Sequence, residues 1–446
     1  MYPAKFSFDV NATPDCTNDY VVFPINRAPS ATQANIAAFN NLYSGATSTS
    51  CAALTAATVT WAYQVGTTRL RSSPELSLDG TKVAFMDGAN PAVFHVLTPT
   101  AGQGTVTAPA TPTAGQIVNV PLTTGADSDS SPFVDYFNDV AYVGTNNGRL
   151  FKITGVFEGT PALAGAPWPL HPATTMLTGP VIDFGTGNIF VGGADGNLYG
   201  FTSAGAAIPN SPLVVGSGGA NGGIIDSPVV DVVNGLLFVT SGEEPTLTNA
   251  VVVEASTSSF AAANVNVANI GNNAARLHAG TFNDAYFHVA TNMTGTTSEW
   301  FFYVCGVAGG AGTNPVLYRV GFNSTPRKMN TTADATTVTL SANGGEQCSP
   351  ITELKNGVDR IFLGLLTTAQ VEFFDISTTT TPTLGGTGAV APVAEAGGTS
   401  GIIVDNVSAI AQASSIYFST LGNSPTCAVA GVNRHCAVKL TQGALQ

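Results

Sequence analysis

The chain has 446 residues, of which 28 are acidic against 15 Lys and Arg, for a formal net charge of −13. Phosphate backbones are neutralised by a basic stripe, which 15 scattered cations do not supply, so nucleic acid is excluded as a partner. Hydrophobic residues make up 44% and charged residues only 10%, a balance that supplies a large core and excludes a disordered chain.

The charge-free stretches 98–126 and 196–225 are interrupted by Gly, Pro, Asn and Thr. Neither holds about 18 consecutive apolar residues, so no transmembrane segment is expected. The start, Met1-Tyr2-Pro3-Ala4-Lys5-Phe6, has no apolar core of a signal peptide. It reads as an initiator Met placed on a processed chain.

Taken in chain order, residues 1–57 read as an N-terminal extension. Ser30-Ala-Thr-Gln33 has the form of a capping box, and Ile36, Phe39 and Tyr43 follow at helical spacing. This predicts one short helix over 31–43, packed on the domain that follows. Val59, Trp61, Tyr63 and Val65 then alternate as a strand, 59–65.

From residue 73 one pattern recurs. A small residue, often followed by Pro, leads two apolar residues and an acid, then a turn, an apolar strand, a Gly turn and a third strand. The clearest copy is Ser131-Pro-Phe-Val-Asp135, Asp139-Val-Ala-Tyr-Val-Gly144, Asn147-Gly148 and Leu150-Phe-Lys-Ile-Thr154. Starts fall at 73, 131, 179, 227, 280, 349 and 401, with intervals of 48 to 69 residues. Units near 50 residues predict an all-β, seven-bladed β-propeller over 58–446, with four-stranded antiparallel blades. Asn-Gly and Asp-Gly supply the positive-φ residues of the hairpin turns. The last unit ends after three strands, so 59–65 is expected to close the last blade as its outer strand. The uncharged stretch 98–125 and the nearly uncharged 377–399 read as surface excursions.

Six cysteines, none in a CxxC, point to disulfides in an oxidising compartment, secreted or periplasmic. Pairing of sequence neighbours is favoured: Cys16–Cys51, Cys305–Cys348 and Cys427–Cys436.

The segment Val140-Ala-Tyr-Val-Gly-Thr-Asn-Asn-Gly-Arg-Leu-Phe-Lys-Ile153 resembles the quinoprotein (PQQ-like) propeller repeat. Over about 73–440 the chain is similar to secreted bacterial propeller proteins of that superfamily. The resemblance implies a propeller fold and, for the dehydrogenases of the superfamily, PQQ and a calcium ion. Those enzymes carry a tryptophan motif in most blades and vicinal cysteines. This chain has three Trp, at 61, 168 and 300, and no adjacent cysteines, so neither cofactor is expected.

Candidate chemistry is sparse. An acid stands four places after six starts, at Asp135, Asp183, Asp231, Asp284, Glu353 and Asp405, with Ser77 in the first unit. The alternatives are a carboxylate ring that attracts a cation or basic partner, and turn chemistry in which each acid binds backbone amides; the second is favoured. Asp127 and Asp129 space oxygens like the start of a calcium loop, but lack its later Gly and Glu. They read as a solvated acidic loop. Glu243 and Glu244 are expected to diverge into water. His95, His171, His278, His288 and His435 show no metal-ligand spacing, and His95 reads as a core histidine. The Gly-dense run 216–223 reads as a loop before a strand at 224–226. Sequons stand at Asn11, Asn292, Asn323, Asn330 and Asn406.

The resulting expectation is a non-catalytic extracellular module that binds a protein or glycan at a cell surface, with self-association as a homo-oligomer or filament included. A divergent quinoprotein-like enzyme and a carbohydrate-binding or carbohydrate-cleaving propeller are the alternatives.

Overall fold

A computed structural model describes residues 1–6, 14–44, 51, 57–288, 299–310, 312–324, 327–335, 337–368, 370–377, 383–384, 398–406, 414–422, 424–429 and 432–441. The fold is an all-β propeller with almost no helix. Its sheets form eight blades, not the expected seven. Two compact units hold them, Met1–Pro169 with Ser400–Gln446, and Leu170–Thr399.

The first unit holds the first, second, third and eighth blades. The first blade is built from Ala4–Phe6, Tyr20–Pro24, Ile36–Asn40 and Thr58–Tyr63, paired in that order. The second runs from Glu75–Leu76 to Ile117–Pro121, and the third from Phe133–Asp135 to Ala162–Leu163. The eighth comprises Ile403–Asn406, Ser414–Ser419 and Ala437–Thr441, with a separate hairpin of Ser424–Val429 and Val432–Arg434 between its last two strands.

The extra blade corrects three expectations. Residues 31–43 contain no helix. Ser30 and Gln33 close a tight turn, and Ile36–Asn40 is a strand between two others. Its side chains obey a two-residue period: Ile36 and Ala38 join one core cluster with Trp61 and Tyr63, while Ala37 packs in another with Ala34 and Ala62. Burial on both faces made the strand uniformly apolar, and three widely spaced residues then mimic a helical stripe. The strand Thr58–Tyr63 pairs with Ile36–Asn40, so it completes the first blade and does not close the last. The first 57 residues are therefore most of a blade and not an extension.

Adjacent blades share cores. Val22, Ile36, Trp61 and Tyr63 of the first pack with Val83, Phe85 and Leu97 of the second. Ala84, Phe94 and Val96 of the second pack with Ala141, Val143, Phe151 and Ile153 of the third. Burying each such side chain contributes about 1.5–3 kcal/mol, which is what holds short strands in place. Residues 98–125 are not merely a surface excursion. Part of the stretch is the fourth strand of the second blade, and Ala62 pairs with both Gln103 and Ala110 of the preceding loop.

The second unit holds four blades, beginning at Val181–Asp183, Val229–Asp231, Thr281–Phe282 and Thr352–Asn356. The third of these carries a fifth strand, Val338–Thr339. Its core continues from blade to blade in the same way, with Phe238 and Val252 against Phe282, Phe302 and Phe322.

Three disulfides are formed: Cys16–Cys51, Cys305–Cys348 and Cys427–Cys436, with Cα–Cα separations of 5.7, 6.2 and 5.5 Å. Among the described residues no helix is long and apolar enough to cross a membrane.

Candidate binding surface

The turn after each blade's first strand carries the most regular polar chemistry. Asp135 Oδ1 accepts from the amides of Phe137 and Asn138, both at 3.1 Å, and Oδ2 accepts from Asn138 Nδ2 at 2.6 Å. Asp183 repeats this with the Gly185 amide at 3.0 Å and Thr186 Oγ1 at 2.7 Å. Asp231 takes the Asn234 amide at 3.1 Å, Asn234 Nδ2 at 2.6 Å and the Tyr286 hydroxyl at 2.7 Å. In the second blade Ser77 plays the part, accepting from the Lys82 amide at 2.9 Å. Positive φ then lets the chain reverse, at Gly187 (+73°) and Gly235 (+63°).

These carboxylates are buried and used locally, so they do not form an open electronegative ring. The remaining acids of the series differ. Asp405 is buried against Lys5 at 3.4 Å. Asp284 opens a short helix, Asp284–His288, and pairs with Lys355 at 2.7 Å. Glu353 lies in a strand beside Asp359, whose Oδ2 accepts the Asp284 amide at 2.9 Å. Burial and the neighbouring Asp359 hold the Glu353 carboxyl well above the usual glutamate range.

A carboxylate that gathers the amides two and three places ahead makes the intervening residues the tip of the turn. In this chain those tips are apolar and face solvent. In the first unit Leu78 is 79% and Phe137 is 93% exposed. Tyr136 beside it anchors the turn, donating its hydroxyl to the Leu76 carbonyl at 2.8 Å and to Glu75 at 3.2 Å. Burial pushes the Glu75 carboxyl up to about 7, against the lowering effect of the Tyr136 hydroxyl. In the second unit Val233 is 91% exposed and Phe184 is more than half exposed. The turns of Phe184 and Val232 are direct neighbours, since a Cβ on Gly185 would lie 3.5 Å from the Val232 side chain.

Sequence reasoning singled out the acids and passed over the residues after them. The signal was present: Leu78, Tyr136, Phe184 and Val232 each directly follow the capping residue. Turn positions favour Gly, Asn, Asp and Ser, so a recurring Phe, Tyr, Val or Leu there is informative.

The other candidates are dispersed. Asp129 is held by Arg71 at 3.0 Å, and Asp127 accepts the Asn146 amide through its carbonyl. Among the described residues no three His, Cys, Asp or Glu side chains converge as a metal site would require. Glu243 accepts from Ser217 Oγ at 2.6 Å and Asn273 Nδ2 at 2.8 Å, whereas Glu244 turns to Thr248 and Asn249. Neighbours in sequence, they serve separate loops. His95 is buried between Asp87 at 3.2 Å and Asn119 at 2.7 Å. His278 Nδ1 lies 2.9 Å from Asp226, and His435 Nδ1 lies 2.9 Å from the Thr420 carbonyl. His171 is exposed, and His288 ends the short helix. The Gly-rich run contains one helical turn, Gly219–Gly222, and 224–226 is not a strand. Asn11 and Asn292 lie outside the described residues; Asn323 and Asn406 are on strands and Asn330 directly follows one.

No protein-family model matches the chain, and no curated protein matches it in sequence. Among solved structures it is similar to BamB from Moraxella catarrhalis, with a TM-score of 0.47 and 13% identity over 93% of this chain and 95% of that one. It is also similar to a 6-phosphogluconolactonase candidate from Bacteroides fragilis, with a TM-score of 0.45 and 10% identity over 85% and 97%. At that distance the likeness says nothing of ligand or activity.

Proposed function

We propose that the chain is a non-catalytic binding or surface-assembly propeller that works outside the cytoplasm and engages a protein partner through the first-turn tips of its second unit. One observation carries the reading: Phe184 and Val233, 57% and 91% exposed, stand in directly neighbouring turns of one unit, each capped by its own aspartate. Water gains nothing from such side chains, whereas a partner that covers them gains the free energy of apolar burial. The three disulfides support a secreted or periplasmic setting.

A photo-reactive phenylalanine at Phe184 or Val233, with Glu158 as the exposed polar control, tests the surface in extracts of the native source. The expected result is a protein adduct at the two tips and none at the control. Purified partner then binds at least tenfold more weakly to a folded Phe184→Ser, Val233→Ser variant. Absence of an adduct, or binding unchanged by the two serines, overturns the proposal. Added PQQ with calcium is expected to give no bound chromophore, and a stoichiometric one would refute the non-catalytic reading.

A further inference from the structure

The two compact units carry very different charge. Leu170–Thr399 holds 16 Asp and Glu against six Lys and Arg, so it contributes ten of the chain's 13 net negative charges. Its cations all come late, since no Lys or Arg stands between Lys152 and Arg276. Two blades fall wholly inside that gap: the one from Val181–Asp183 to Leu213–Val214 and the one from Val229–Asp231 to Val265–Ile270. Residues 181–270 contain seven acids and no Lys or Arg, and these are the two blades whose turns end in Phe184 and Val233.

The later cations are engaged elsewhere. Lys355 pairs with Asp284 and Arg319 with Asp334, each at 2.7 Å. Arg276 precedes its blade's first strand, on the other side of it from the turn, and donates Nε to the Ala220 carbonyl at 2.9 Å. Asp183, fully buried directly before Phe184, is held by the Gly185 amide and the Thr186 hydroxyl. Both donors are neutral, so they share out its charge without cancelling it. A carboxylate set in a low-dielectric wall projects its field with little screening by salt.

We propose that the partner of the Phe184–Val233 surface is a basic protein segment, an apolar side chain flanked by Lys or Arg. The inference rests on the docking role argued above and adds the chemistry of what docks. The apolar side chain covers Phe184, Val232 and Val233, which are all exposed. The flanking cations stay at the wet rim in the field of the acidic unit. There they speed association more than they slow dissociation. A segment of the same shape flanked by acids is repelled, and an anionic lipid surface is repelled for the same reason.

The test uses the full chain with carbon-13-labelled valine methyls and three capped five-residue peptides. All three contain Leu-Phe-Leu, flanked by two lysines, two glutamines or two glutamates. At about 0.02 M salt the lysine peptide is expected to shift the Val232 and Val233 methyls, with half-saturation at least fivefold below that of the glutamine peptide. The glutamate peptide needs more than the glutamine one. At about 0.5 M salt, where screening cuts the field within a few ångströms, the three converge to within twofold. In a folded Phe184→Ser, Val233→Ser variant, half-saturation of the Val232 methyl by the lysine peptide rises at least fivefold. That arm separates the tips from general attraction to an acidic chain.

Equal binding of the lysine and glutamate peptides, or an order that salt leaves unchanged, overturns the basic partner and leaves the docking surface standing. Lysine-peptide binding unchanged by the two serines overturns it as well, because the cations then bind elsewhere. If none of the three peptides moves either methyl, the tips take no apolar segment and both proposals fail.

Discussion

Lys5 in the first strand of the first blade lies 3.4 Å from Asp405 in the first strand of the eighth, and both side chains are at most 2% exposed. The pair joins the start of the chain to residues four hundred places later within one compact unit. Met1 supports the same junction, its carbonyl accepting the Gly401 amide at 2.9 Å. A buried pair contributes little relative to a well-packed apolar replacement, but removing one member strands the other. Lys5→Met is therefore expected to destabilise by about 3–5 kcal/mol in urea unfolding. Combining it with Asp405→Asn should recover most of that loss. A single variant that unfolds like the parent would refute the assignment.

Trp61 is buried between the first and second blades, with its ring 5.8 Å from Tyr63. Trp61→Ala leaves a cavity that neighbouring strands cannot fill, at a cost of about 3–5 kcal/mol. Unfolding by denaturant, followed through tyrosine and the remaining tryptophans, measures it. A cost below 1 kcal/mol would mean that the first blade is not part of the cooperative core.

Glu353 titrates with a sign opposite to that of most carboxylates. Its native pKa is raised by burial and by Asp359, so the folded state binds the proton more tightly than the unfolded state does. Stability from this group is complete below the ordinary glutamate range and declines as pH rises through the elevated native value. Glu353→Gln keeps the shape and removes the titration. The variant should melt like the parent at pH 4 and above it at pH 8, and identical melting curves at both values would count against the raised pKa.

Asp183 shows what one turn contributes. Both carboxylate oxygens accept hydrogen bonds within the turn, and the residue is fully buried. Asp183→Ala removes both and leaves the Gly185 amide to find another partner, at about 1–3 kcal/mol. Asp183→Asn keeps the acceptor and should lose less than half as much. Equal losses in the two variants would show that charge, not capping, is the source.

The Cys427–Cys436 bond spans nine residues. Loop-closure entropy for a ring of this size corresponds to about 2–3 kcal/mol. Cys427→Ser with Cys436→Ser is expected to lower stability by that amount, while unreduced parent protein titrates no free thiol. A thiol detected at either position contradicts the pairing.

The propeller itself was legible in the sequence because a blade is a local object. Its hairpin turns need Gly after Asn or Asp, and its first turn needs an acid to gather amides, so Ser131–Thr154 declares a blade without reference to the rest of the chain. The disulfide partners were legible for the same reason, each pair closing a short stretch. The first blade was not. Tyr2-Pro3-Ala4-Lys5-Phe6 keeps the Pro of the repeat but puts Lys where an apolar residue is usual, and that Lys makes sense only beside Asp405. Ile36–Asn40 reads as a helix until strands on both sides impose a period of two. The exposed tips lay in view at Leu78, Phe137, Phe184 and Val233. Whether an apolar turn residue is buried by its neighbours or left to solvent is set by packing across blades, and so is the number of strands each blade receives. Local spacing determines what each blade is, and long-range pairing decides how many there are and which neighbours each strand receives.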